Sequence, residues 1–205
     1  MDRLPRGLYG ITPDDRPDTE TLIGDVRRAL AGGATTIQYR DKQVESLTEQ
    51  TALQLRSLCL EFGACFIIND DPLLALATGA DGVHLGRRDA SVSHARKLLG
   101  PNAIVGVSCY ADDMRVAMAE KSGASYVALG AFYPSVTKPD AASAPIALLA
   151  DVVASTSLPV VAIGGITPDN GAALVEAGAH ALAAINGLFG ADDIEAAARA
   201  YAALY

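Results

Sequence analysis

Residues 65–89 read CFIINDDPLLALATGADGVHLGRRD, and the fold follows from how this stretch is punctuated. Two apolar runs, CFIIN and GVHLG, flank one short helical segment, and the stretches they open stop in acidic residues, at Asp70 and at Asp89. Apolar runs of this length without alternation suit strands of a parallel sheet covered on both faces. In such sheets functional groups gather at the carboxyl ends of the strands, where the loops converge on one crevice. Asp70 and Asp89 then stand at equivalent ends of neighbouring strands. Two carboxylates so placed suit one hard cation, Mg²⁺ above others, whose remaining ligands are commonly waters and substrate phosphates.

The same alternation continues on either side. Strands are expected near 7–12, 35–40, 65–69, 82–86, 104–108, 126–130, 159–164 and 181–186. Helices are expected near 19–32, 46–61, 72–78, 91–99, 111–122, 146–155, 169–177 and 192–203, which makes eight strand-helix units. Gly-Ala recurs at Gly33, Gly63, Gly79, Gly123 and Gly178, each time between a helical segment and the following strand. Glycine there closes a helix in a left-handed conformation without a Cβ penalty. Helix-to-strand turns are therefore short and uniform, while strand-to-helix connections vary. That asymmetry, together with the lack of a G-x-G-x-x-G after the first strand, favours a single-domain (β/α)₈ TIM barrel over 1–205 rather than an open doubly wound sheet. The one long connection, 131–145, is rich in Pro, Ser and Ala and is a candidate lid.

At 205 residues and 50% hydrophobic, the chain supports one substantial core. No apolar run approaches the roughly 20 residues needed to span a bilayer, and MDRLPRGLYG lacks a secretory h-region, so a soluble cytoplasmic protein with no membrane partner is expected. Cys59, Cys65 and Cys109 lack CxxC spacing and read as free structural thiols. A net charge of −8 argues against nucleic acid. Yet Arg40, Lys42, Arg87, Arg88 and Lys138 fall just after expected strands, as a local site for an anionic small molecule requires. The spacing fixes neither an oligomeric state nor which of Arg87 and Arg88 faces the site.

After the second strand, Gln38-Tyr39-Arg40-Asp41-Lys42 places an amide, a guanidinium and an ammonium on one side of an extended chain. Such a set suits a phosphorylated or heteroaromatic ligand. Asp71-Pro72 reads as a helix cap, which leaves Asn69 and Asp70 for ligand and metal. His84 lies within a strand and reads as packed or hydrogen-bonded, while His94 and His180 lie on helix or turn surface. Ser108 ends the fifth strand, with no acid or histidine placed beside it for a nucleophilic triad. Ser135, Val136, Thr137 and Lys138 occupy the candidate lid. Gly164-Gly165-Ile166-Thr167-Pro168 and Ile185-Asn186-Gly187 follow the seventh and eighth strands, where barrels frequently bind phosphate.

Taken in order, Gln38-x-Arg40-x-Lys42, Ile68-Asn69-Asp70, Asp81 to Gly86 with Asp89, Gly106-Val107-Ser108, Thr137-Lys138 and Ala162 to Ile166 resemble the thiamine-phosphate synthase family. The resemblance implies a TIM barrel that condenses hydroxymethylpyrimidine diphosphate with hydroxyethylthiazole phosphate to thiamine phosphate and pyrophosphate, with Mg²⁺. It implies that Gln38, Tyr39, Arg40, Asp41, Lys42, Asn69, Ser108 and Lys138 hold the pyrimidine diphosphate. Arg40, Lys42, Ser108 and Lys138 would be the catalytic groups. Asp70 and Asp89 would hold Mg²⁺, while Ser135, Val136, Thr137, Gly165, Ile185 and Asn186 hold the thiazole phosphate. The chain departs from the family pattern at Arg87, usually Gln, at Ser135, usually Thr, at Asn186, usually Ser, and at Cys109-Tyr110, usually Thr-His. Two other readings share the barrel: a thiazole tautomerase, which needs no metal pair, and a non-catalytic paralogue that binds thiamine phosphate or thiazole phosphate. The retained Asp70, Asp89 and Thr137-Lys138 favour the synthase.

Overall fold

The computed structural model describes residues 4–40, 48–134 and 144–205. Eight strands, β1 (Gly7–Ile11), β2 (Ala34–Tyr39), β3 (Cys65–Asn69), β4 (Gly82–Leu85), β5 (Ile104–Tyr110), β6 (Tyr126–Leu129), β7 (Val160–Ile163) and β8 (Ala181–Ala184), pair in parallel in chain order. The last returns to the first, with Gly7 opposite Ala181 and Gly10 opposite Ala184, so the barrel is closed. Closure leaves no strand edge to protect.

The connecting helices are α1 (Thr19–Ala31), α2 (Glu49–Phe62), α3 (Pro72–Thr78), α4 (Val92–Leu99), α5 (Asp113–Lys121), α6 (Ile146–Ser155), α7 (Pro168–Glu176) and α9 (Ile194–Ala202). Their starts are written in the sequence. The Asp71 carboxylate accepts from the backbone N–H groups of Leu73 and Leu74 ahead of Pro72, as its reading as a cap requires. All five glycines of the Gly-Ala repeat have positive φ, between 63° and 105°. Two endings depart from expectation. β5 runs on to Tyr110, where the register shifts and φ reaches 58°. β8 stops at Ala184, because Ile185 turns out of the sheet and opens an additional one-turn helix, α8 (Asn186–Phe189), which the apolar pattern does not announce.

Strand alternation divides the apolar residues into two cores. Outward-facing residues such as Ile37, Phe66, Ile68, Val105 and Val127 pack with the helices. Inward-facing residues, among them Tyr9, Ile11, Ile67, Ile104, Tyr126 and Val161, fill the barrel. Each fully buried Ile, Leu or Phe contributes about 1.5–3 kcal/mol, so both layers hold the strand ends in register beneath the mouth. The three thiols are buried in these layers, and burial pushes Cys59 up to about 12 and Cys109 up to about 11. They are inert structural cysteines, as read from their spacing. Among the described residues no helix is long and apolar enough to cross a membrane.

Candidate active site

At the carboxyl end of β2, alternation sends neighbouring side chains to opposite sides. Gln38 turns into the barrel and is 2% exposed, whereas the Tyr39 ring belongs to the outer core. Any part Tyr39 takes at the mouth therefore falls to its backbone. Arg40 is anchored from the loop after β1. Its Nη1 donates to Asp14 Oδ2 at 2.6 Å, and its backbone N–H donates to Thr12 Oγ1 at 2.8 Å. Asp14 and Thr12 were not singled out in the sequence, because a partner 26 or 28 residues away leaves no local pattern. Asp41 and Lys42 lie outside the described residues.

β3 and β4 bring Asn69 and His84 into register, and the backbone N–H of Asp70 donates to the carbonyl of His84 at 2.8 Å. Asp70 is one of two non-glycine residues with positive φ, at 66°, among the described residues. A left-handed aspartate costs about 1–2 kcal/mol and is held here by its surroundings. Asn69 Nδ2 donates to Asp70 Oδ2 at 2.7 Å, and the N–H of Gly86 donates to Asp89 Oδ2 at 2.6 Å. Each carboxylate is thus aimed by an adjacent donor rather than left to rotate. Hard oxygen donors of this kind, in the loops that follow adjacent strands, suit Mg²⁺ rather than Zn²⁺; among the described residues no group of three or more His, Cys, Asp or Glu side chains is arranged to hold a metal ion. Arg87 lies over the ring of Tyr110, 5.1 Å from its centroid, with Arg115 5.6 Å from the same centroid. Two of the departures from the family pattern are therefore in contact with each other.

Ser108 does have a histidine beside it, contrary to the sequence reading. His84 Nε2 lies 2.8 Å from Ser108 Oγ, but His84 Nδ1 faces the Tyr126 hydroxyl at 2.9 Å rather than a carboxylate. With a phenol at Nδ1, where a triad holds its carboxylate, the pair is not arranged as a nucleophilic triad. His84 is hydrogen-bonded, as expected; His180 bonds the carbonyl of Leu4 at 2.9 Å, and His94 is exposed at the start of α4.

On the opposite side of the mouth, the turn after β7 is stitched to the start of the long β6–α6 connection. Tyr133 N–H donates to the Gly164 carbonyl at 3.0 Å, and Ala144 N–H donates to the Ala131 carbonyl at 2.6 Å, which ties the two feet of that connection together. Gly165 has φ 62°, and a Cβ there would overlap the carbonyl oxygens of Tyr133 and Pro134. Only glycine fits that close approach. Asn170 closes the turn, its amide donating to the Gly165 carbonyl at 3.0 Å and accepting from Thr167 N–H at 2.9 Å. Ile185 packs partly buried against the barrel interior, and the exposed Asn186 begins α8 with its amide oxygen over Gly190. Ser135, Val136, Thr137 and Lys138, with most of the candidate lid, lie outside the described residues.

A closed barrel of this kind, with oriented carboxylates, an anchored arginine and a glycine turn at one end, defines a (β/α)₈-barrel enzyme that handles anionic ligands. Residues 8–188 match the family model described as thiamine monophosphate synthase. A thiamine-phosphate synthase from Thiobacillus denitrificans is 50% identical over 97% of this chain and 94% of its own length. One from Chromobacterium violaceum is 52% identical over 96% and 94%. The solved thiamine phosphate pyrophosphorylase of Pyrococcus furiosus superposes with a TM-score of 0.85 at 34% identity, covering 97% of this chain and 94% of that one. A 3-hexulose-6-phosphate synthase, at TM-score 0.75 and 16% identity, shares the fold alone. The chain belongs to the thiamine monophosphate synthase family.

Proposed function

We propose that the chain joins hydroxymethylpyrimidine diphosphate to hydroxyethylthiazole phosphate, yielding thiamine phosphate and pyrophosphate, in the cytoplasm and with Mg²⁺. The observation that carries this reading is the presence of two aimed carboxylates just after β3 and in the loop after β4, and of an anchored Arg40 just after β2, in a chain about half identical to named synthases over nearly its whole length.

Asp70 and Asp89 would hold Mg²⁺, which neutralises charge on the diphosphate when bound. Arg40, with Lys42 and Lys138, would meet the remaining phosphate oxygens and stabilise the charge that grows as pyrophosphate departs. The bond between the pyrimidine methylene carbon and the bridging oxygen breaks with its electron pair leaving on pyrophosphate. The thiazole nitrogen then supplies the pair that forms the new carbon–nitrogen bond. Asn69, Gln38 and Ser108 would hold the pyrimidine ring, and Gly165, Ile185, Asn186 and the segment Ser135 to Thr137 the thiazole phosphate. Alignment and charge stabilisation are all the protein need supply, and no nucleophile is called for. The test is to incubate the purified chain with both substrates and Mg²⁺ and to follow both products. Equimolar thiamine phosphate and pyrophosphate support the reading; no pyrophosphate, with thiazole phosphate still bound, would leave the binding paralogue in its place.

A further inference from the structure

Five polar side chains from five strands form one continuous line of hydrogen bonds across the barrel interior. Gln38 Nε2 donates to the Tyr9 hydroxyl at 2.8 Å, and the Tyr9 and Tyr126 hydroxyls lie 2.7 Å apart. Tyr126 then meets His84 Nδ1 at 2.9 Å, and His84 Nε2 meets Ser108 Oγ at 2.8 Å. Tyr9, Tyr126, His84 and Gln38 are all buried, the tyrosines edge-to-face at 6.1 Å and the imidazole stacked on Tyr126 at 5.6 Å. Gly106 makes the crossing possible, since a Cβ there would overlap the Tyr126 phenol. Burial raises the pKa of both phenols, so each keeps its single proton.

One proton per hydroxyl couples all the directions. Tyr9 accepts from Gln38, so its own proton goes to Tyr126, and the Tyr126 proton goes to His84 Nδ1. A neutral imidazole that accepts at Nδ1 carries its proton on Nε2, which donates to Ser108. The two ends of the line are then opposite in kind: the Gln38 amide keeps its oxygen as an acceptor, and the Ser108 hydroxyl keeps its proton to donate. Turning the Gln38 amide over reverses every bond and exchanges the two roles. A buried line of this kind is stable only when all its members agree, since one reversed member leaves buried groups unpaired.

Resting on the function proposed above, we infer that Tyr9, Tyr126 and His84 are positioning residues that lock Gln38 as acceptor and Ser108 as donor, so that an amino group and a ring nitrogen of the pyrimidine are read as one pattern. A pyrimidine with an oxo group and a ring N–H at those positions presents the reverse pattern. It must either turn all five residues over or leave a bond unmade. Tyr126→Phe cuts the line in the middle and lets Gln38 and Ser108 reorient separately.

The test uses the full chain and two probes, the aminopyrimidine monophosphate and its oxo analogue, titrated calorimetrically. The wild type should prefer the amino form about 30-fold or more, some 2 kcal/mol. Tyr126→Phe and Tyr9→Phe should each cut that preference about tenfold and leave thiazole phosphate affinity unchanged. An unaltered preference in both variants overturns the inference. Imidazole nitrogen NMR gives a readout independent of any ligand and of either variant's folding: wild-type His84 should carry its proton on Nε2, and a proton on Nδ1 would overturn the locked direction. A wild type that binds neither pyrimidine would count against the proposed function, and the tautomer would still decide the fate of the line.

Discussion

The two sides of the barrel mouth are built by different means. Just after β3 and in the loop after β4 the groups presented are side chains, Asp70 and Asp89, whose carboxylates accept from Asn69 Nδ2 at 2.7 Å and from the Gly86 N–H at 2.6 Å. At β7 and β8 the feature is a backbone that comes close because Gly164 and Gly165 have no Cβ, with φ of 105° and 62°. A site built on carboxylate charge calls in a metal and tolerates isosteric neutral replacement in structure but not in function. One built on backbone approach tolerates little change in size, whatever the charge. The comparison teaches which substitutions separate folding from function on each side.

The largest effect is expected where charge alone is removed. Asp70→Asn and Asp89→Asn keep an amide oxygen for the Asn69 and Gly86 donors, and asparagine tolerates the left-handed backbone at position 70. Turnover should fall about 100-fold or more, roughly 2.7 kcal/mol, with an unchanged circular dichroism spectrum and a raised Mg²⁺ requirement. Full turnover at limiting Mg²⁺ would take these two residues out of the metal's hold. Next comes Gly165→Ala, which sets a methyl against the Tyr133 and Pro134 carbonyls and asks alanine for φ 62°. Here stability should drop by about 1–2 kcal/mol and thiazole phosphate affinity should drop with it, in a melting curve and a titration on the same sample. A variant that melts like the wild type would mean the turn relaxes freely. Asn186→Ala should be mildest, near tenfold on thiazole phosphate, at the low end for a hydrogen bond to a charged group because Asn186 is exposed. Asn186→Ser should recover most of that loss, and equal affinity in all three proteins would place the amide outside the pocket.

Much of this was legible in the chain because it is local. Strand runs, the Asp71-Pro72 cap and the glycines after helices each rest on a few consecutive residues, and the barrel follows from repeating them. The carboxylates were legible for the same reason, as acidic residues that end the stretches opened by apolar runs. What could not be read depends on closure. The Tyr9–Tyr126 bond joins residues 117 apart and exists only because β1 and β6 face each other across a closed interior. The histidine beside Ser108 was missed because strand pairing sets His84 opposite Gly106, one inward-facing position before Ser108, a relation invisible along the chain. Asp14 went unremarked since a loop aspartate has meaning only once Arg40 is folded over it. The short helix α8 escaped because four residues carry no periodicity.

The division of labour between the two sides is tested most directly by a crossed titration. Asp89→Asn and Gly165→Ala are each titrated calorimetrically with pyrimidine diphosphate in Mg²⁺ and, separately, with thiazole phosphate. Asp89→Asn should lose affinity for the pyrimidine diphosphate by tenfold or more, about 1.4 kcal/mol, and hold thiazole phosphate as the wild type does; Gly165→Ala should lose more affinity for thiazole phosphate than for the pyrimidine diphosphate. Equal losses for both ligands in both variants would contradict the account, since the mouth would then be one undivided site.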